Sequence, residues 1–179
     1  MSLEQVGLAM HRVRRALERR PDLGIHDDPP ATARWVQGTR IETSHANGSR
    51  MLTDMPTEIG GSGDQVSPGW MFRAGIAACT STVVAMKAAE EGIALEMLEV
   101  NVTSRSDTCG LLGMSNATGA KVSAAPWDMT VHVRIDANGV SPQRLRDLVE
   151  EATRCSPMCT AVEGPMPIAL RVEAQARAA

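Results

Sequence analysis

Between Arg73 and Lys87 the sequence holds no charged residue, and this uninterrupted stretch constrains the fold more than any other feature. Ser67-Pro68 ahead of it supplies an N-cap and a first-turn proline, the usual opening of a helix. Gly92 supplies a stop. The reading is therefore one long helix from Pro68 to about Glu91. Phe72, Ile76, Cys79, Val83 and Met86 line up as one stripe, while Ala74, Ala77, Ala78, Ala85 and Ala88 keep the other faces small. A helix that is apolar all round has to be covered on most sides, so it is expected at the centre of the molecule.

What can pack around it is narrowed by composition. Aromatics make up 2% of the chain, with one Phe and no Tyr, whereas there are eleven Met. Flexible methionines and alanines must fill the core, and the aromatic platforms that stack single-stranded nucleic acid are scarce. A net charge of −3 gives no general attraction to a polyanion. No apolar run approaches the roughly 18 residues of a membrane span, and no secretory leader is apparent. A reducing cytoplasm is the expected compartment, with the four cysteines resting as thiols.

Two regions are predicted. Residues 1–30 form an N-terminal amphipathic helix (2–20) and a turn-rich linker. Leu3, Val6, Met10, Val13 and Leu17 make its apolar stripe, and Arg12, Arg14, Arg15, Arg19 and Arg20 make its polar side basic. Contact with an anionic surface is one reading. A solvated face, with the stripe docked on the body or on a partner subunit, is the expectation, so neither nucleic acid nor membrane is expected as a partner.

Residues 31–179 form the main domain. Short strands are expected at 31–37, 40–46 and 49–54, the last two joined across Asn47-Gly48, which accepts positive φ. Longer strands follow at 94–106 and 127–136. In the second, Met129, Val131, Val133 and Ile135 alternate with polar residues, the pattern of a half-buried strand. Between them, 107–125 reads as an irregular excursion. A second helix spans 142–155, and a last strand 168–174.

Three segments together resemble the osmotically inducible protein C and organic hydroperoxide resistance (OsmC/Ohr) family. They are Pro56–Gly61 with Ser67-Pro68 and Ala77-Ala78-Cys79-Thr80; Ser106-Asp107 with Gly110-Leu-Leu-Gly113; and Ser156-Pro157-Met158. The resemblance spans about residues 31–174. It implies an α+β, OsmC-like fold, with antiparallel sheets wrapped around a long buried central helix in an intertwined homodimer. It also implies a thiol-dependent peroxidase, reducing organic or inorganic hydroperoxides through a reactive cysteine at the dimer interface. The reductant would be a dithiol such as a lipoylated protein, and no cofactor or metal would be needed. The rival expectation is a non-enzymatic protein of this fold, a redox sensor or a binder of a small apolar ligand in a pocket near Trp70, Met71 and the helix alanines.

Carried over residue by residue, Cys79 matches the attacking cysteine. It lies about three turns into its helix, where the helix dipole contributes little, so a cation is expected to hold its thiolate. Arg40, after Gly38-Thr39, matches the family arginine, with Arg34 and Arg105 as substitutes. Two departures stand out. The family glutamate that follows the helix-opening proline is replaced by Gly69-Trp70, leaving Glu58 as a stand-in. The resolving cysteine is replaced by Ser156, and a hydroxyl cannot close a disulfide. Cys155 and Cys159 flank it, and either could resolve Cys79 only if its Cα approached within about 7 Å. If neither does, an external thiol must act. A zinc site built from Cys109, Cys155 and Cys159 lacks a second cysteine pair or a histidine cluster, and no metal is expected.

Overall fold

The computed structural model describes residues 2–164 and 166–175. Its elements in chain order are α1 (Leu3–Arg19), β1 (Thr32–Gln37), β2 (Arg40–Ser44), β3 (Arg50–Thr53), α2 (Pro68–Glu90), β4 (Leu95–Arg105), α3 (Thr108–Leu111), β5 (Trp127–Ala137), α4 (Pro142–Thr153) and α5 (Pro157–Glu163). It is an α+β arrangement with two antiparallel sheets, β1-β2-β3 and β4-β5.

α2 begins as its sequence dictates. The Ser67 hydroxyl accepts from the Trp70 N–H at 3.2 Å, and Pro68 occupies the first turn. It packs against β4, α4, α5 and α1. The residues it buries completely are Ile76, Thr80, Val84 and Ala88, a regular i, i+4 stripe. The expected stripe shared only Ile76 with it. Each one-residue offset turns a side chain by roughly 100°, so Cys79 and Val83 are half-buried and Met86 stands exposed, while Phe72, on the buried row but in the first turns of α2, is exposed as well. The core closes where Val84 and Ala88 meet Leu148 and Ala152 of α4, with Ile93, Leu95, Leu98 and Ile135 around them.

The β4–β5 ladder is interrupted close to the start of β4. A register shift between Leu95 and Met97 inserts an extra residue. Beyond that bulge the inward positions Leu98, Val100 and Val102 pair with Ile135, Val133 and Val131. The three-stranded sheet is a meander. Gly48 takes a positive φ of 93° in the β2–β3 turn, and Gly38 does so between β1 and β2. β1 is exposed along its whole length, with Trp35 72% accessible.

α1 is fastened at the far end of α2. The Ser2 hydroxyl and the Gln5 side chain form a reciprocal capping box. Gly7 is buried so closely against α2 that an added Cβ would lie 2.4 Å from the Ala89 carbonyl oxygen. Arg14 Nε donates to Glu90 Oε1 at 2.9 Å. The helix is docked with its apolar stripe partly covered: Leu3, Val6, Met10 and Leu17 are half-buried, while Val13 remains exposed.

Two expectations need correction. No strand forms at 168–174. Residues 166–175 lie outside regular structure, with Ile168 and Leu170 89% and 85% accessible, because a strand requires a neighbour to receive its N–H and C=O groups. The second helix, expected over 142–155, ends at Thr153, and a separate helix, α5, follows it. Ser156 and Pro157 open it as Ser67-Pro68 opens α2 and Ser141-Pro142 opens α4.

Candidate functional site

Cys79 sits midway along α2, one position before the buried core residue Thr80. The second wall of its site is the start of α5. There Ser156, fully buried, donates its hydroxyl to Cys79 Sγ at 3.3 Å. The same oxygen accepts from the Cys159 backbone N–H at 3.4 Å, so it is also the N-cap of α5. Gly75, one turn earlier on α2, makes room for α5. A Cβ there would touch the Met158 methyl at 3.5 Å.

Next to this contact runs a second one. Cys159 Sγ lies 3.5 Å from Thr80 Oγ1, and both residues are buried. α5 thus presents Ser156 to Cys79 and Cys159 to the following residue. The position where a resolving cysteine was expected does reach Cys79, and it carries a hydroxyl. Cys155 is exposed and opens instead into the cleft between α1, α2 and α4, beside Met10, Arg14, Val83 and Lys87. Cys109 is half-buried in α3, where a hydrogen bond from the thiol to Asp107, with that carboxylate's charge, raises its pKa and keeps it a thiol.

Arg40 opens β2 and is mostly buried. Its guanidinium donates to Asp54 Oδ2 at 3.2 Å and also pairs with Asp64. Its Nε is buried without a hydrogen-bond partner among the described residues. No hydrogen bond joins it to Cys79 within one chain. Glu58, the expected stand-in carboxylate, is not its partner; it lines a cleft with Trp70 and Arg73 at the start of α2. Of the substitute cations, Arg105 pairs with Asp128 at 3.6 Å and Arg34 is exposed on β1.

The carboxylates that hold Arg40 were not singled out in the sequence. Asp54 is buried at the end of β3 and accepts from the Thr39 hydroxyl (2.6 Å), from the Met55 and Ser62 N–H groups (2.8 and 3.1 Å) and from Arg40. Gly61 allows this loop to close, because a Cβ there would strike the Met55 carbonyl at 1.7 Å. The Thr39 hydroxyl, helped by the two backbone N–H groups and Arg40, holds the Asp54 carboxyl well below the ordinary aspartate range against the opposing effect of burial. A carboxyl with a lowered folded-state pKa stabilises the fold fully above its unfolded pKa of about 3.9. That stabilisation is lost as pH falls below about 4. Denaturation midpoints of the wild type should therefore drop more steeply below pH 4 than those of Asp54→Asn. Parallel curves would contradict this role.

Among the described residues, no group of three or more His, Cys, Asp or Glu side chains is placed to hold a metal, and no helix is long and apolar enough to cross a membrane.

A family model described as OsmC-like protein matches residues 61–171. No curated protein matches the chain. Solved structures do. The OsmC-like protein of Mycoplasma pneumoniae aligns over 78% of this chain and 90% of its own, at 16% identity and a TM-score of 0.63. An OsmC-like protein of unknown function from Vibrio cholerae aligns over 77% and 95%, at 15% identity and a TM-score of 0.61. The organic hydroperoxide resistance protein OsmC of Legionella pneumophila aligns over 78% and 92%, at 20% identity and a TM-score of 0.57. At these identities the likeness establishes the fold.

Proposed function

The chain belongs to the OsmC-like family, and we propose on that footing that it is a thiol-dependent peroxidase of hydroperoxides with Cys79 as nucleophile. The observation that carries this reading is the Ser156 hydroxyl donating to Cys79 Sγ at 3.3 Å. It fixes the sulfur, the attacking atom in thiol chemistry, against a polar partner at the half-buried middle of α2. In the first step Cys79 sulfur attacks one peroxide oxygen. An S–O bond forms, the O–O bond breaks, and an alcohol leaves after taking up a proton. Cys79 becomes a sulfenic acid.

The working unit we propose is a homodimer. Three observations support it: the exposed Phe72 and Met86 on an otherwise apolar helix, the fully exposed β1 with Trp35, and the apolar but unpaired segment 166–175. In that dimer Arg40, with a buried Nε that finds no partner among the described residues, would be the cation that faces Cys79. Replacing Arg40 with Met should then slow Cys79 oxidation by about ten- to a hundredfold, equivalent to about 1.4–2.7 kcal/mol of lost charge stabilisation in the transition state, while Arg40→Lys should recover part of it. Equal rates in all three proteins would exclude Arg40 from the site. The reductant is proposed to be a thiol or dithiol, consistent with a reducing compartment.

The reading is tested by steady-state consumption of an organic hydroperoxide and of hydrogen peroxide with dithiothreitol as donor. Turnover with at least one of them is expected. No turnover with either would remove the enzyme reading.

A further inference from the structure

We infer that the oxidised Cys79 is resolved by a thiol arriving from solution, not by a cysteine of its own chain, so that the protein works as a one-cysteine peroxidase. The inference rests on the proposed reaction and concerns its second half. Its ground is the pair of contacts between α2 and α5. The residue that touches Cys79 Sγ is Ser156, fully buried and fixed twice, as donor to the sulfur and as N-cap of α5 ahead of Pro157. It fills the approach through which a resolving sulfur would come, and its oxygen cannot form a disulfide. Cys159 lies one turn further, its sulfur buried against Thr80 Oγ1. To reach Cys79 it would have to leave that contact. Cys155 faces the cleft beside Met10, Val83 and Lys87, and Cys109 is held as a thiol by Asp107.

Cys79 itself is only half-buried in the single chain, and in the proposed dimer the opening that admits a hydroperoxide to its sulfur admits a small thiol by the same route. The chemistry closes with two thiol equivalents. The first thiolate attacks Cys79 sulfur; an S–S bond forms, the S–O bond breaks, and hydroxide leaves as water after protonation. The second thiolate attacks the donor's own sulfur in this mixed disulfide, which expels Cys79 as thiolate and releases the donor as its disulfide. The sum is one hydroperoxide and two thiols giving alcohol, water and one disulfide. A monothiol performs both steps as separate molecules, and a dithiol performs the second intramolecularly.

The test treats the full chain with one equivalent of cumene hydroperoxide, followed by dimedone, by a single equivalent of cysteine or by dithiothreitol, and maps the peptides without reduction. The wild type should give a Cys79–dimedone adduct, a Cys79–cysteine mixed disulfide, and free Cys79 with oxidised dithiothreitol, respectively. In Ser156→Cys, a sulfur replaces the hydroxyl at the contact point. That variant should instead close a disulfide between Cys79 and the sulfur introduced at position 156, and lose most of the dimedone adduct. A Cys79–Cys159 or Cys79–Cys155 disulfide in the wild type would overturn the inference while leaving the peroxidase reading intact. So would failure of a folded Ser156→Cys protein to form its disulfide, since position 156 would then not lie on the resolving path. A Cys79 that hydroperoxide leaves unmodified would defeat the peroxidase reading, and the inference with it.

Discussion

Substitution of Cys79 by serine is expected to lower hydroperoxide turnover by at least about a thousandfold, to the level of dithiol alone, as loss of a covalent nucleophile does. The serine hydroxyl stays protonated at neutral pH and cannot take the place of a thiolate. The fold should be untouched. Cys79 is outside the buried Ile76–Thr80–Val84–Ala88 stripe, the replacement is nearly isosteric, and its oxygen can still accept from Ser156. The unfolding midpoint is therefore expected within about 0.5 kcal/mol of the wild type, the usual range for a change that disturbs no core contact. Cys159→Ser is the informative companion. Its sulfur lies against Thr80 and not Cys79, so turnover should persist. Residual turnover of the Cys79 variant near the wild-type rate would move the chemistry elsewhere.

Leu148→Ala is expected to have the largest effect on stability, about 2–5 kcal/mol. Leu148 is fully buried and packs between Val84, Ala88 and Ala152. Two of those neighbours are alanines with no length to extend into the space left behind, which favours the upper half of the range. Leu8→Ala is the matched control. Leu8 is more than half exposed on α1, and its loss should cost about 0.5 kcal/mol or less. Both should be measured by chemical denaturation at one protein concentration, because association would contribute to the apparent stability. A Leu148→Ala loss below about 1 kcal/mol would mean that the α2–α4 seam is not the core.

How far these features were legible in the sequence follows from how local their causes are. Ser67-Pro68, Gly92, Asn47-Gly48 and the alternation from Met129 to Ile135 act within a few residues, and each element they predict is present within a residue or two. The face that α2 buries is decided by what packs against it. Periodicity alone therefore placed Phe72 and Met86 inward, although both are exposed. The segment 168–174 has the residue pattern of a strand, but a ladder needs a neighbour, and a sequence does not say which chain provides it. α5 was announced by the same Ser-Pro signature as α2 and α4, yet it reads equally as a turn when the preceding helix ends beside it.

At the candidate site, Cys79 and Ser156 were singled out by their motif positions, and the fold brings the two to 3.3 Å. The carboxylates of Arg40 were not singled out. Asp54 is brought to it by the β1–β2–β3 meander and by the close approach of Gly61 to Met55, and Asp64 by the loop that follows. Neither is near Arg40 in sequence, and neither has a spacing that marks it.

The central claim is that Cys79 is the thiol a hydroperoxide oxidises. It is tested most directly by mass spectrometry of the wild type after a substoichiometric amount of cumene hydroperoxide in the presence of dimedone, with the four cysteines quantified separately. The sulfenic acid adduct is expected on Cys79 well ahead of Cys109, Cys155 and Cys159. First oxidation at the exposed Cys155, with Cys79 left as a thiol, would contradict that claim.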